Sequence, residues 1–292
     1  MFENSKPKLV AVTINWKDDI RTSKCVEALL LSEKVECVIV VDNESAGTMK
    51  GLAGVHPRCL IVEQPKNLGF AAGMNVGIEN ALRIGASHIL CINNDAQIEN
   101  TDIEKLFAAL GNQNLYMVGP KILNTDGSLQ SKGERISPRG RLSFRRTNFR
   151  DEIYLTWACV MLKAETFHRV GFLDTRFFMY QEDVDFCLRM LEMGLRYELV
   201  TGANCYHELN ASHSKSKGLV EAYSMASLVA FGMKWRQRYS SNWFLLRAAL
   251  RLIRVSLRPR TFALLVKAIK LGFRVETKAY IAVEENFFTG PD

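Results

Sequence analysis

Apolar runs separated by stretches of helical spacing set the layout of the first hundred residues. Leu9-Val10-Ala11-Val12-Thr13-Ile14, Val38-Ile39-Val40-Val41, Leu60-Ile61-Val62 and Ile89-Leu90-Cys91-Ile92 show no polar alternation, so each reads as a strand buried on both faces. Between them Ile20, Val26, Leu29 and Leu30 fit one helical face, and Val76, Ile78, Ala81 and Leu82 fit another. This alternation predicts a mostly parallel sheet with helices on both sides, an α/β fold. Each run ends in polar residues: Asn15, Asp42-Asn43, Gln64 and Asn93-Asn94-Asp95. Parallel strands bring their carboxyl ends to one edge, and ligands of such sheets bind there.

Further on, Thr101-Asp102-Ile103-Glu104 reads as a capping box opening a helix with Ile103, Leu106, Phe107 and Leu110 inward. Regularity fades from Tyr116 to about Arg150, where Gly119-Pro120, Asp126-Gly127 and Pro138-Arg139-Gly140 mark turns and Lys132 to Arg150 reads as a basic loop. An apolar segment follows at Leu155 to Leu162. A helix is expected from about Glu182, with Val184, Leu188 and Leu191 inward, an Asp185/Arg189 pair and Gly194 as its stop. From about Lys217 the pattern is helical. The expected organisation is a catalytic domain over 1–216, with halves 1–112 and 113–216, and a basic helical region over 217–292.

The chain has 292 residues, 48% of them apolar, enough for one large core. Met1 to Lys8 contains no apolar h-region, so no secretory signal is expected. The seven cysteines are scattered without a C-x-x-C pair, which predicts buried reduced thiols in a cytoplasmic setting. Net charge is +7, yet Lys234 to Arg274 alone holds eleven Lys and Arg with no Asp or Glu. The remainder is therefore net negative, and the basic character belongs to the C-terminal region.

Candidate chemistry clusters at the strand ends. Asn93-Asn94-Asp95 offers oxygen ligands suited to Mg²⁺ or Mn²⁺ carrying a substrate's phosphates, although Asn and Asp also end strands as turn formers. Asp42 stands where a base or ribose could be hydrogen-bonded. Asn67-Leu68-Gly69-Phe70-Ala71-Ala72-Gly73-Met74-Asn75-Val76-Gly77 combines glycines that allow close backbone approach with amides that donate and accept. No G-x-G-x-x-G or G-x-x-x-x-G-K-[ST] element is present, which argues against dinucleotide oxidoreductases and P-loop NTPases.

In their order, these segments resemble the inverting glycosyltransferase family 2, of GT-A fold, and its rhamnosyltransferase-like branch in particular. The resemblance runs through Val12-Thr13-Ile14-Asn15-Trp16, Val41-Asp42-Asn43-Glu44-Ser45, Asn67 to Gly77, Ile92-Asn93-Asn94-Asp95, Phe177-Phe178-Met179-Tyr180-Gln181-Glu182-Asp183-Val184-Asp185 and Tyr206-His207. It implies a Rossmann-like nucleotide-binding half, an acceptor-binding half and a C-terminal helical extension. The implied donor-binding set is Thr13, Asn15, Asp42, Asn43, Asn67, Gly69, Phe70, Asn75, Asn93, Asn94 and Asp95. Asp95 and His207 would hold Mg²⁺ or Mn²⁺ on the donor diphosphate. Asp183 would be the general base, and Trp157, Tyr180 and Glu182 would face the acceptor.

Each residue also has a plainer reading. Carboxylates such as Asp183 and Asp185 favour a helix start, Trp157 suits a core, Asp174 suits a turn, and His207 alone is an ordinary hydrogen-bonded histidine, with His213 as a rival for its role. Two positions depart from the family pattern. Lys17 stands where Asn is frequent, and Ala226-Ser227 stands where Arg-Asn is frequent, so neutralisation of the diphosphate would fall to the Lys132 to Arg150 loop.

The implied activity is sugar transfer from a dTDP- or UDP-sugar, with dTDP-rhamnose suggested by the branch, to a glycan or lipid-linked acceptor in cell-surface polysaccharide synthesis. A sugar-phosphate nucleotidyltransferase and a non-catalytic nucleotide-sugar-binding subunit docking a membrane synthase are the alternatives. Arg247, Arg251, Arg254 and Arg258 fall on one helical face, with Trp243, Phe244, Leu246, Leu250, Ile253 and Leu257 elsewhere. That arrangement suits an interfacial helix on an anionic membrane surface, so peripheral attachment to the inner face of the cell membrane is expected. No nucleic-acid partner is expected, since no recognised binding fold accompanies the charge; oligomers are compatible with the sequence.

Overall fold

The computed structural model describes residues 8–45, 47, 49, 51–52, 56–136, 142–143, 152–208, 217–239, 241–255 and 259–273. Strands β1 (Leu9–Asn15), β2 (Val35–Asn43), β3 (Cys59–Gln64) and β4 (His88–Ile92) run parallel in the order β3-β2-β1-β4. Helices α1 (Asp19–Leu30) and α2 (Gly69–Arg83) connect strands of this set. The sheet continues through β11 (Cys159–Lys163), antiparallel to both β4 and β6 (Leu115–Leu123), and then β12 (Arg196–His207), parallel to β6. Strand β5 (Ala96–Ile98) pairs antiparallel with the end of β12, setting His207 opposite Ala96, and β7 (Leu129–Ser131) pairs with β6. A small second sheet holds β8 (Glu134–Ile136), β9 (Leu142–Ser143) and β10 (Glu152–Tyr154).

The apolar runs form strands because both sheet faces are covered. Val10 and Val12 point to the α2 side, while Leu9 and Ala11 point to α1 and α3 (Asn100–Leu110). Helix α2 packs so closely that a Cβ at Gly77 would lie 2.2 Å from Val12 Cγ1, so glycine is required there. The remaining helices are α4 (Glu165–Val170), α5 (Glu182–Glu192), α6 (Lys217–Lys234), α7 (Ser241–Val255) and α8 (Pro259–Phe273). Helix α6 shares the core of the α2 side through Ala222, Met225, Val229 and Phe231. The described cysteines are free thiols, and all but Cys37 are buried.

Local expectations differ from the structure in three places. Gly119-Pro120, read as a turn, lies in the middle of β6, where pairing with β12 holds the backbone extended. Ile20 is exposed on α1, whose inner face is Thr22, Cys25, Val26 and Leu29. No capping box opens α3: Glu99 is its N-cap without a side-chain bond, and Thr101 already lies inside the first turn. The sequence tetrad fits the motif, but strand β5 ends at Ile98 and starts the helix two residues early. His213, Arg258, most of the Lys132 to Arg150 loop, and the side chains of Trp243, Phe244, Arg254, Leu264 and Leu271 lie outside the described residues.

Candidate active site

The ends of β1 and β2 meet in register at Asn15 and Asp42. Asn15 is buried, and its amide donates to Asp42 Oδ1 and Asp19 Oδ1, both at 2.8 Å, while its carbonyl accepts from Thr22 Oγ1 at 2.8 Å. Asn15 is therefore a brace for Asp42 rather than a surface that could frame a nucleotide. Asp42 is 3% exposed and its Oδ2 has no partner in the chain. A buried carboxylate oxygen without a donor is costly, so this one is suited to an N–H or O–H brought by a ligand. Thr13 is fully buried with its hydroxyl unpartnered, below the rim where a donor could reach it.

Beside Asp42, Glu44 accepts from Trp16 Nε1 at 2.9 Å and pairs with Lys17 Nζ at 3.1 Å. Lys17 and Glu44 both hold left-handed backbone, φ 56° and 77°. Partial burial raises the Glu44 pKa, but the Trp16 and Lys17 bonds outweigh it and hold the carboxyl below its ordinary range. Lys17 thus presents a cation fixed to the adjacent loop, where an asparagine was the family expectation.

The asparagines after β2 and β3 are largely committed to the loops. Asn43 donates to Asn67 Oδ1 at 3.0 Å and Gly69 O at 3.2 Å, and accepts from Leu68 N at 2.8 Å. Asn75 donates to Leu173 O at 2.8 Å and accepts from Leu173 N at 3.0 Å, which leaves it unavailable to a donor. Gly69 has φ 78°, and a Cβ there would lie 2.5 Å from Phe178 O. Phe70 N donates to that same oxygen at 2.6 Å. These contacts bring the segment before Glu182 against the mouth of α2, at the donor edge.

Asp95 and His207 meet across the β4 and β12 ends, with Nε2 3.2 Å from Asp95 Oδ1. Gln130 decides how His207 is presented. Its amide donates to Asn124 Oδ1 at 2.9 Å and His207 O at 3.2 Å, so its carbonyl, 2.8 Å from His207 Nδ1, accepts a proton from that ring nitrogen. The Nε2 lone pair then faces Asp95 and the Asn93 amide at 3.2 Å. Asn93 Oδ1 is buried without a partner, and Asn94 reaches away to Thr22 Oγ1 at 2.9 Å. An imidazole nitrogen beside a carboxylate, and an orphaned amide oxygen on the neighbouring Asn93, are donor types that suit a divalent cation. Among the described residues no three His, Cys, Asp or Glu side chains converge, so Asp95 and His207 are the carboxylate and imidazole that these residues bring together there.

Asp183 lies in the first turn of α5, directly after an elbow in which Tyr180 and Gln181 have φ 69° and 72°. Left-handed backbone at two successive non-glycine residues is strained and persists only when its surroundings hold it. Here Phe178 stacks on Tyr223 with ring centres 4.0 Å apart, and Ser227 Oγ donates to Met179 O at 2.8 Å. The position where Arg-Asn was the family expectation thus supports the elbow. Burial pushes Asp183 up to about 7 against a hydrogen bond from Val184 N, and the Glu134 carboxylate adds to the rise. Glu182 is buried with Oε2 unpartnered, and burial beside Asp183 pushes its carboxyl well up. Glu134 itself is held by the Tyr154 hydroxyl.

Tyr180 is half-buried at the elbow, where an acceptor could pack. Trp157, by contrast, is 2% exposed and packs edge-on to Phe186 at 5.1 Å, so it is a core residue and no platform for a sugar. Gln130, Glu134 and Glu44 carry no role that their sequence positions reveal; each becomes visible only through a partner distant in sequence.

Residues 20–171, more than half of the chain, match the family model described as Glycosyl transferase family 2. The chain is 26% identical over 222 residues to a dTDP-rhamnosyl transferase, RfbF, of Shigella flexneri, covering 72% of each. It is 28% identical over 163 residues to the low-salt glycan biosynthesis hexosyltransferase Agl10 of Haloferax volcanii, spanning about half of each, 52%. Among solved structures, GalNAc-T7 with UDP, GalNAc and Mn²⁺ aligns with a TM-score of 0.56 at 11% identity, over 83% of this chain and 56% of that one. The curled mixed sheet and this likeness are those of the GT-A fold. The chain belongs to glycosyltransferase family 2 and is a glycosyltransferase of polysaccharide synthesis.

Proposed function

We propose that the protein transfers a sugar, with inversion, from a dTDP- or UDP-sugar to a hydroxyl of a glycan or lipid-linked acceptor at the inner membrane face. Asp183 carries this reading: a carboxylate at a braced elbow, with its pKa near the working pH, is matched to general-base catalysis. Asp42 Oδ2 would accept an N–H or O–H of the nucleoside. Asp95, His207 and Asn93 would hold Mg²⁺ or Mn²⁺, which when bound offsets the charge on the leaving diphosphate. Asp183 takes the proton of the acceptor hydroxyl while the hydroxyl oxygen bonds to the anomeric carbon and the bond from that carbon to the diphosphate breaks. The proton ends on Asp183, which returns it to solvent. A single base on one side of the sugar gives inversion without a covalent intermediate.

The similarity to a dTDP-rhamnosyl transferase makes dTDP-rhamnose the first donor to try. Donor hydrolysis and binding measured across a panel of nucleotide sugars with Mg²⁺ or Mn²⁺ test the reading. Binding of at least one donor with slow metal-stimulated hydrolysis is expected; neither binding nor turnover with any donor would sink it.

A further inference from the structure

Of the arginines placed on one face of α7, Arg247 and Arg251 are half-buried. Arg251 lies 3.5 Å from Glu221 on α6, while Ala248 is buried and Leu252 packs on the core. What α7 shows to solvent instead is apolar. Leu246, Leu250 and Ile253 stand four and three residues apart on one stripe and are 48%, 55% and 69% exposed, with Leu245 and Ala249 beside them. A contiguous exposed stripe of this kind marks an interaction surface.

Charge around the stripe distinguishes its occupant. Lys267 and Lys270 are exposed on α8, which packs against α7, and Phe262 of α8 is also exposed. The segment from Lys234 to Arg274 contains eleven Lys and Arg and no acidic residue. An apolar face on a helix packed against one that carries exposed lysines fits an interface of acyl chains below anionic headgroups. No helix among the described residues is long and apolar enough to cross a membrane. The contact is therefore shallow, with α7 lying in the plane of the interface.

We infer that α7 docks the enzyme on anionic lipid by inserting Leu246, Leu250 and Ile253 between headgroups, with the cations of α8 alongside. This deepens the reading above, in which the acceptor is carried on a lipid. Helix α7 follows α6, and α6 braces the elbow before Asp183. Docking through α7 would thus set the height of the base above the lipid surface.

The test is co-sedimentation of the full chain with vesicles of phosphatidylcholine alone or of phosphatidylcholine and phosphatidylglycerol in equal parts. The wild type should sediment with the mixed vesicles and weakly with the neutral ones. The L246S/L250S/I253S variant should lose at least about tenfold in partitioning to both, with its melting temperature and donor hydrolysis unchanged. The K267Q/K270Q variant should lose the preference for anionic vesicles while keeping the weak neutral binding. Unchanged partitioning of the triple variant overturns the inference. So does a wild type that ignores vesicles but dimerises, with the triple variant monomeric, which would make the stripe an interface between copies. Vesicle binding is scored without turnover, so its failure and failure of the glycosyltransferase reading are separate results.

Discussion

The Lys234 ammonium sits 2.6 Å from Asp185 Oδ1, joining the last turn of α6 to the helix that carries Asp183. The same ammonium lies 2.6 Å from Asp174 Oδ2. Trp235 Nε1 donates to Asp185 Oδ1 at 3.0 Å, and Arg189 Nε to Asp185 Oδ2 at 2.9 Å. Burial opposes ionisation of Asp174, but bonds from Arg176 and Lys234 outweigh it and hold that carboxyl well below its ordinary range. Asp183 and Asp185 are two residues apart, so one faces the site while the other anchors the helix.

Removing Lys234 leaves the buried Asp185 and the partly buried Asp174 short of a cation. Lys234→Met should destabilise the fold by about 3 kcal/mol, read as a lower denaturant midpoint. Lys234→Arg should recover much of the loss. A midpoint for the methionine variant within error of the wild type would show that Arg176 and Arg189 suffice.

Asp183→Asn should lower transfer by at least about a hundredfold while donor binding is retained. With the wild type, transfer should rise with pH and level off above about 7, where the carboxylate becomes the main form. Stability should run the other way. The folded state keeps this proton up to about 7, whereas an unfolded Asp releases it near 3.8, so stability falls as pH rises through that window. Undiminished transfer by the asparagine variant would remove Asp183 from the role of base.

Metal binding should depend on the donor, because the described residues bring few ligands of their own. Calorimetry should show weak Mn²⁺ binding to the free protein and much tighter binding with a nucleoside diphosphate present. Gln130→Leu, which frees His207 to adopt the other tautomer, should weaken the ternary binding by about tenfold. Tight binding to the donor-free protein would contradict the assigned shell.

Asp42→Ala should raise the donor KM by about tenfold, the scale of one hydrogen bond to a charged group, with kcat little changed. An unchanged KM would mean that the orphaned Oδ2 has no ligand to meet.

Trp157→Ala should act on stability, costing about 3 kcal/mol or more through a core cavity, as measured by denaturation. A raised acceptor KM without loss of stability would restore the platform role.

The four strands of the nucleotide half and the place of their polar ends were legible because burial on both faces leaves a plain apolar signature, while their order in the sheet came only from the structure. Asp42, Asp95, Asp183 and His207 stand in local, ordered motifs, which is why the sequence singles them out. The partners that tune them were not legible. Gln130 reaches His207 across 77 residues and Lys234 reaches Asp185 from another helix. Asn15 and Asn75 carry the same amide as Asn67, and only the hydrogen bonds around them show that they are braces.

By itself the sequence determined the alternation of strands and helices, the edge where chemistry gathers and the region where positive charge is concentrated. These follow from local periodicity and composition. Tertiary structure alone decided that Trp157 is core, that α6 supports the elbow before Asp183, and that α7 turns Leu246, Leu250 and Ile253 to solvent while Arg251 pairs with Glu221. A helix carries several candidate faces at once, and only the surface it packs against selects which one is buried.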